Sequence, residues 1–419
     1  MAVRDGFGKV ATDGLVFAFD AGDPYNSYKG KPGTNLFKEP VAWVGDANDI
    51  NYYGTGQNFY SQTGEEFAYI PTLGTRRVKY VKIKNDFTGC GPEYCRCCPS
   101  LFRYGDWGIT VEPSTTYAYT LIYKCDSGYT NPNYLYHYQY GPSGYVTEYG
   151  LHNDSNRTHL GDGWYFAWGL LTTNAATTTL YPGMWYYNYN VLDKVSVAAV
   201  NFVKGTEIRN PKQMFLPSGS RSDTEALIDL TGNAVLDLSN VSFDSNSKIV
   251  FDGTNDYINL GNSNVYNQFE GDFTVAALVK RYPNGGTWGT IIGDYYTSGT
   301  TSPDEWQIMV SSAGNIFLYN TGYVVSPIYS GVPVNNWMYI VLTRTGPNIT
   351  LYVNNVVIAT ATSTRKYGGD AGNLNIGIDG DNASEPFTGE IDVVQIYNRA
   401  LAATEVSQNF NHYKSRYNL

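Results

Sequence analysis

Among the 419 residues, the groups best placed for bond-breaking chemistry are the carboxylates of Glu390 and Asp392. On an extended strand, residues two apart project to the same side, so Glu390-Ile391-Asp392 sets two acids on one surface. Retaining cleavage of a glycosidic bond needs two carboxyls about 5–5.5 Å apart, one as nucleophile and one as acid/base. A second oxygen-rich group is Asp379-Gly380-Asp381-Asn382, with Asp256 or Asp294 as further donors. Hard oxygens in this density suit Ca²⁺, and the same residue types also make ordinary Asx turns. Five cysteines complete the inventory, with Cys90, Cys95, Cys97 and Cys98 crowded into one stretch and Cys125 following later. A zinc site, a disulfide set and plain reduced thiols are the three readings. Adjacent Cys97 and Cys98 reach tetrahedral positions awkwardly, and an odd count leaves one thiol over. The four histidines, His137, His152, His159 and His412, lack metal-ligand spacing, and no Ser or Cys stands in a nucleophile elbow.

Aromatic residues offer recognition rather than reaction. Tyr134, Tyr136, Tyr138 and Tyr140 alternate along one run, with Tyr145 beyond it, and Trp185, Tyr187 and Tyr189 alternate along another. Rows of rings can stack on the apolar C–H faces of sugars while Asn, Asp and backbone groups take the hydroxyls. Such rows equally pack a sheet or a protein interface. Trp288, Trp306 and Trp337 are expected in the core, with Trp337 heading a strand.

The elements that must carry these groups are β-strands. Charged residues are 16% of the chain, whereas Gly numbers 44 and Tyr 38, a composition suited to sheets with hydrogen-bonding faces. The net charge of -10 repels phosphate backbones and anionic membranes, so no nucleic-acid partner is expected. No apolar run approaches the ~18 residues of a spanning helix, and the first residues lack the pattern of a secretory signal. Membrane insertion is not expected, and synthesis in a cytoplasm is. Strands are predicted at 15–19, 78–83, 116–123, 163–171 and 191–200, punctuated by Pro, Gly and Asn. In 248–261 two short alternating runs flank Asp252-Gly253, which reads as a tight hairpin turn. Only 403–413 has a helical period, with Thr404 as its cap and Val406, Phe410 and Tyr413 on one face. No heptad or tandem repeat builds a shaft, so a compact appendage fits better than a fibre.

Several blocks resemble laminin-G and concanavalin-like lectin domains in the order that family keeps them. They are Phe251-Asp252-Gly253-Thr254-Asn255-Asp256-Tyr257, Asp272-Phe273-Thr274-Val275, Asn336-Trp337, Leu351-Tyr352-Val353-Asn354, and Gly389-Glu390-Ile391-Asp392 through Tyr397-Asn398-Arg399-Ala400-Leu401. The opening Gly14-Leu15-Val16-Phe17-Ala18-Phe19-Asp20-Ala21-Gly22 resembles a segment that, in lectin-like domains of tailed-phage and bacterial surface proteins, is soon followed by one like Asp229-Leu230-Thr231-Gly232-Asn233. Here the two lie far apart, which implies a domain inserted into a surface loop. The expected fold is all-β, a discontinuous concanavalin-like antiparallel β-sandwich with an inserted β jelly-roll. Its parts are an N-terminal arm at 1–13, the lectin domain at 14–34 and 225–419, and the insert at 35–224. Within the insert, Thr34-Asn35-Leu36-Phe37, Gly163-Trp164-Tyr165 and Leu192-Asp193-Lys194-Val195-Ser196-Val197 resemble carbohydrate-binding jelly-rolls.

The resemblance also bears on chemistry. Laminarinase-like glycosidases of similar fold carry Glu, Asp and Glu along the corresponding strand, but Gln395 stands at the acid/base position and cannot donate a proton at neutral pH. The implied strand is therefore lectin-like, with Asp392 in a turn or edge role, and no enzyme activity is expected. Laminin-G relatives often hold Ca²⁺, which makes Asp379, Asp381, Asn382 and Asp256 the candidate ligands. Proteins with this opening are common among structural proteins of tailed bacteriophages. The implied partners are phage capsid or tail proteins and cell-surface or environmental polysaccharide, on the virion surface. A capsid decoration or head fibre is favoured over a tail-fibre adhesin, and a bacterial glycan-degrading enzyme is the different-class alternative.

Overall fold

A computed structural model describes residues 10–24, 26–34, 36, 60–71, 73–83, 109–125, 134–151, 156–185, 194–211, 214, 221–261, 269, 271–283, 285–294, 305–319, 323–365, 367, 373–380 and 384–419. Strand β1 (Leu15–Asp20) opens the chain. Then come β2 (Tyr60–Ile70), β3 (Gly74–Ile83), β4 (Ile109–Thr110), β5 (Thr116–Cys125), β6 (Tyr134–Gly141), β7 (Gly144–Leu151), β8 (Arg157–Gly161), β9 (Trp164–Thr172), β10 (Thr179–Trp185) and β11 (Lys194–Lys204). The remainder supplies β12 (Ser242–Phe243), β13 (Ile249–Asp252), β14 (Ile258–Asn259), β15 (Phe273–Arg281), β16 (Trp288–Gly293), β17 (Gln307–Ser311) and β18 (Asn315–Tyr319). It ends with β19 (Tyr323–Ser330), β20 (Trp337–Thr345), β21 (Asn348–Val353), β22 (Val356–Thr362), β23 (Asn375–Ile376), β24 (Thr388–Tyr397) and helix α1 (Ala403–Tyr417). The chain divides into two compact units, Met1–Pro32 with Ser222–Leu419, and Gly33–Arg221.

The discontinuous unit is a sandwich. One sheet runs β12-β13-β24-β15-β20-β21-β22 with β1 also paired to β24, and the other runs β14-β23-β16-β17-β18-β19. Strand alternation sends Phe273, Val275, Ala277 and Val279 of β15 into the core, where Phe17, Phe19, Phe251, Trp306, Leu342 and Ile391 meet them. The intervening Ala276 and Leu278 are also buried, because α1 covers the outer side of this sheet with Val406, Phe410, Tyr413 and Tyr417. β15 is thus apolar on both faces, as a central strand between two packed layers must be.

β1 joins this unit from the far end of the sequence, with Phe19 opposite Val394 and Ala18 opposite Gln395 on β24. The segment 229–234 fastens it. The Asp229 carboxylate accepts the backbone N–H groups of Ala18, Asn233 and Ala234 at 3.0, 2.8 and 2.9 Å. The Leu230 N–H donates to the Ala18 carbonyl at 2.7 Å. Of the residues assigned to the N-terminal arm, Val10 and Ala11 are buried with α1, and the Ala11 N–H donates to Asn409 at 2.7 Å. Positions 1–9 lie outside the described residues.

Two local expectations are corrected. Asp252-Gly253 does not close a hairpin: β13 pairs with β12 and β24, whereas β14 pairs with β23 in the opposite sheet. The turn carries the chain from one layer to the other, which the alternation of short runs cannot distinguish from a hairpin. The helix, expected over 403–413, continues to Tyr417, whose ring packs edge-on against Trp337 at 4.9 Å and extends the buried face. Its N-cap is Ala402 rather than Thr404, and the Ala402 N–H donates to Glu405 at 2.9 Å.

The second unit is also antiparallel, with sheets β2-β3-β11-β5-β9-β8 and β4-β10-β6-β7. On β5, Tyr117, Tyr119, Leu121 and Tyr123 are buried at alternate positions, and Ile122 between them joins Trp164, Phe166 and Val78 in a separate cluster. Gly33 and Arg221 pair through reciprocal 2.9 Å bonds, so the two ends of this unit meet.

Candidate functional site

β24 places its acids on the side of the sheet that α1 covers, since Ile391, Val394 and Ile396 take the core positions. Glu390 accepts Lys280 Nζ at 2.8 Å and the Tyr282 hydroxyl at 2.5 Å, with Lys248 at 3.8 Å from its other oxygen. Asp392 sits at a bulge, where the pairing with β15 skips from Val393 to Ile391, and its backbone carbonyl accepts the Ala21 N–H at 2.6 Å. It is 8% exposed, in the middle of the sheet rather than in a turn or at an edge. Burial, and next the Glu390 charge, push its carboxyl up to about 7. Gln395 is buried and accepts the Tyr339 hydroxyl at 3.0 Å. Lysines and the helix surround the acids, and Arg416 pairs with the neighbouring Asp20 at 2.5 Å.

An open cleft lies where β15 leaves the large sheet and the chain re-enters at β16. Arg281, Tyr282, Gly285, Gly286, Trp288, Ser311, Ser312, Phe387 and Thr388 line it. The walls are set by backbone bonds: the Tyr282 N–H donates to the Thr388 carbonyl and the Ser312 N–H to the Thr287 carbonyl, each at 3.0 Å. Gly289 keeps one wall thin, because a Cβ there would lie 3.2 Å from the Phe387 backbone. Trp288 is half-buried, its ring held edge-on to Phe317 at 4.8 Å, which corrects the expectation that it is a core residue. Trp306 is fully buried and Trp337 half-buried against Tyr417.

Among the described residues Arg281 forms no ion pair with a carboxylate. Its guanidinium donates to the carbonyls of Ser312 and Val332 at 2.9 and 3.0 Å, and burial lowers its proton affinity with no acidic group acting against that shift. Tyr282 is held by Glu390 from the other side of the sheet. Sequence reasoning overlooked this cleft because its residues come from four separate segments and carry no spacing signal.

The predicted sites fare differently. Tyr134, Tyr136, Tyr138 and Tyr140 alternate along β6, and register sets Trp185 of β10 opposite Tyr134, so the two aromatic runs become neighbouring strands. The Tyr140 ring meets that of Tyr145 edge-on at 5.8 Å. Tyr187 and Tyr189 lie outside the described residues. Asp379 accepts the Ser384 N–H at 3.1 Å, Asp294 accepts the Trp306 N–H at 2.7 Å, and Asp256 accepts the N–H groups of Asp252 and Ser242 at 2.8 and 3.2 Å. Asp381 and Asn382 fall outside the described residues, and among the described residues no three His, Cys, Asp or Glu side chains converge on a metal position. Cys125 ends β5, whereas Cys90, Cys95, Cys97 and Cys98 lie outside the described residues. On β2, Phe67 and Tyr69 are 78% and 63% exposed, an aromatic pair that the sequence did not single out.

Residues 252–407 match the family described as concanavalin A-like lectin/glucanases superfamily, Laminin_G_3. No curated protein matches the chain. Among solved structures, a Trypanosoma rangeli sialidase in complex with the inhibitor DANA is similar at 16% identity and TM-score 0.36, over 43% of this chain and 30% of that one. The chain thus spans under a third of that enzyme's length. Domain 4 of AbnA, a GH43 extracellular arabinanase from Geobacillus stearothermophilus in complex with arabinotriose, is similar at 15% identity and TM-score 0.34, over 45% of this chain and 93% of that one. The CBM40 of a Ruminococcus gnavus IT-sialidase bound to alpha2,3 sialyllactose is similar at 15% identity and TM-score 0.27, over 33% and 81%.

Proposed function

We propose, from a discontinuous unit whose residues 252–407 are of the concanavalin A-like lectin/glucanases superfamily, that this chain holds glycans without cutting them, as an exposed component of a tailed-bacteriophage particle. The observation that carries the non-enzymatic part is the placement of Glu390 and Asp392. Hydrolysis needs a carboxyl pair facing bound sugar; here both acids lie on the α1-covered side of the sheet, among Lys280, Tyr282 and Tyr417. The open surfaces carry aromatic groups instead: Trp288 in the cleft, and Phe67 and Tyr69 on β2. The alternating tyrosines of β6 and Trp185 of β10 are the proposed contacts of the second unit.

The phage assignment rests on the sequence of the opening segment 14–22, which resembles lectin-like domains of tailed-phage and bacterial surface proteins; in the fold this segment supplies β1, paired with β24 and bonded to Asp229. A capsid decoration or head fibre is the favoured location, on the sequence argument that no shaft-forming repeat is present. Proteomics and imaging of purified particles test this: many copies per particle are expected, and absence from the particles defeats the assignment. Incubation with polysaccharides tests the chemistry. Retention without release of reducing ends is expected, and release that disappears in Glu390→Gln or Asp392→Asn overturns the non-enzymatic reading.

A further inference from the structure

We infer that the cleft at the β15–β16 junction takes a carboxylate-bearing sugar, with the acid on Arg281 and a ring face on Trp288. This rests on the glycan-holding reading and adds the charge of the ligand. Arg281 offers five N–H donors, of which two hold the carbonyls of Ser312 and Val332. Those bonds fix the guanidinium plane without neutralising it. Its charge stands at an open cleft, and no ion pair with a carboxylate forms among the described residues. Glu390, which follows the Arg281 register partner Gly389 on β24, takes Lys280 and Tyr282, and Glu385, next to the lining residue Pro386, takes the Gln307 amide at 2.6 Å.

A protein that leaves a cation unmatched beside a half-buried indole favours a ligand carrying both an anion and an apolar face. A planar guanidinium recognises carboxylate with directional, charge-assisted bonds, and an indole stacks on pyranose C–H groups. Ser312 and Thr388 also line the cleft and carry hydroxyls that suit the sugar's own, whereas the buried Ser311 hydroxyl accepts the Asn315 N–H at 3.1 Å. Gly285 and Gly286 add no side chains to the lining, and the Thr388 hydroxyl packs over Gly285, where a Cβ would lie 3.2 Å from it. Inorganic anions would use Arg281 and leave Trp288 idle, and neutral sugars would do the reverse.

Both hexuronates and sialic acids have this chemistry. Isothermal titration of the full chain with an oligogalacturonate and with a sialylated trisaccharide, each beside its carboxyl methyl ester, needs no mutation and separates charge from shape. The acid of at least one pair is expected to bind about tenfold or more tightly than its ester, the size of one charge-assisted bond, and the pair that shows this names the source. The preference should shrink as salt is raised, because screening weakens an open ion pair. Trp288→Ala should weaken acid and ester alike, and Arg281→Lys should reduce the ratio between them while thermal unfolding confirms the fold. Equal affinity for acid and ester in both pairs, or binding of neutral glycans alone, overturns the inference and leaves glycan holding intact. Binding of no saccharide at all overturns both.

Discussion

The two sides of the lectin-like unit treat charge in opposite ways. Under α1, Asp20 meets Arg416, Glu390 meets Lys280 and Tyr282, and Asp392 is buried enough to retain its proton near neutrality. At the cleft, Arg281 carries a charge that no described carboxylate answers. Of the acids on the covered side, Asp20 and Asp392 meet Arg416 and Tyr417 of the helix and Glu390 meets Lys280 and Tyr282, whereas Arg281, with no motif around it, lines an open cleft. Residue type raises the question of chemistry; the layer that covers each face answers it.

The largest expected effect tests the covered side. The Asp392 carboxyl titrates at about 7 in the folded chain against 3.8 as the ordinary value. A raised acid stabilises the fold fully below the unfolded value, and that contribution falls as pH rises through about 7, by on the order of 4 kcal/mol in all. Lys248 and the Tyr417 hydroxyl oppose the shift, and Glu390 and Asp20 reinforce it. Urea unfolding of the wild type should lose stability between about pH 4 and pH 7. Asp392→Asn should flatten most of that slope and be the more stable protein at pH 8, leaving a residue from Asp20, whose carboxyl burial also raises. A variant that keeps the full slope would show that Asp392 is charged and solvated.

Next in size is Phe410→Ala, which opens a cavity between α1 and the sheet where Phe410 packs near Tyr339 at 6.5 Å. A loss of about 3 kcal/mol is expected in the same measurement, as for buried aromatic truncations generally. If the cost is below about 1 kcal/mol, α1 is not the cover that confines Glu390 and Asp392. Asp229→Ala should cost about 2 kcal/mol, because it strips acceptors from several backbone N–H groups, that of Ala18 among them. Near-neutral behaviour would mean that β1 is held by its pairing with β24 alone.

These partners also mark what could be read in advance. The link between Leu15-Val16-Phe17 and a sheet formed from residue 242 onward was legible, because β1 is apolar at every core position and Asp229-Leu230-Thr231-Gly232-Asn233 is a compact set of acceptors and turn formers. The sandwich was legible in blocks such as Asp272-Phe273-Thr274-Val275 that resemble the lectin family, and this block leads into the buried strand β15. What alternation could not tell was the path at Asp252-Gly253: a tight turn and a sheet change use the same residues, and only the Asp256 carboxylate, closing on Asp252 and Ser242, decides between them. Nor could it tell that Asp392 lies at a bulge, since an extra residue leaves no local signature. The cleft was hidden for a different reason. Arg281, Trp288, Ser312 and Thr388 meet only after four segments fold, and each alone looks like an ordinary surface or core residue.

The smallest expected effect separates aromatic residues that hold the second unit together from those that stand free of it. Phe67 and Tyr69 lie on β2, the last strand of its sheet, and are 78% and 63% exposed, whereas Tyr119 on β5 is fully buried. Side chains that remain in water when the chain folds contribute little to stability, so Phe67→Ser with Tyr69→Ser should unfold within about 0.5 kcal/mol of the wild type. Tyr119→Ser should lose several-fold more, on the scale of about 3 kcal/mol for a buried ring. The paired experiment distinguishes an aromatic surface from an aromatic core within one domain. A loss above about 1 kcal/mol in the β2 double variant would mean that Phe67 and Tyr69 are packing residues, and would withdraw them from the surfaces on which glycan binding by this unit is proposed.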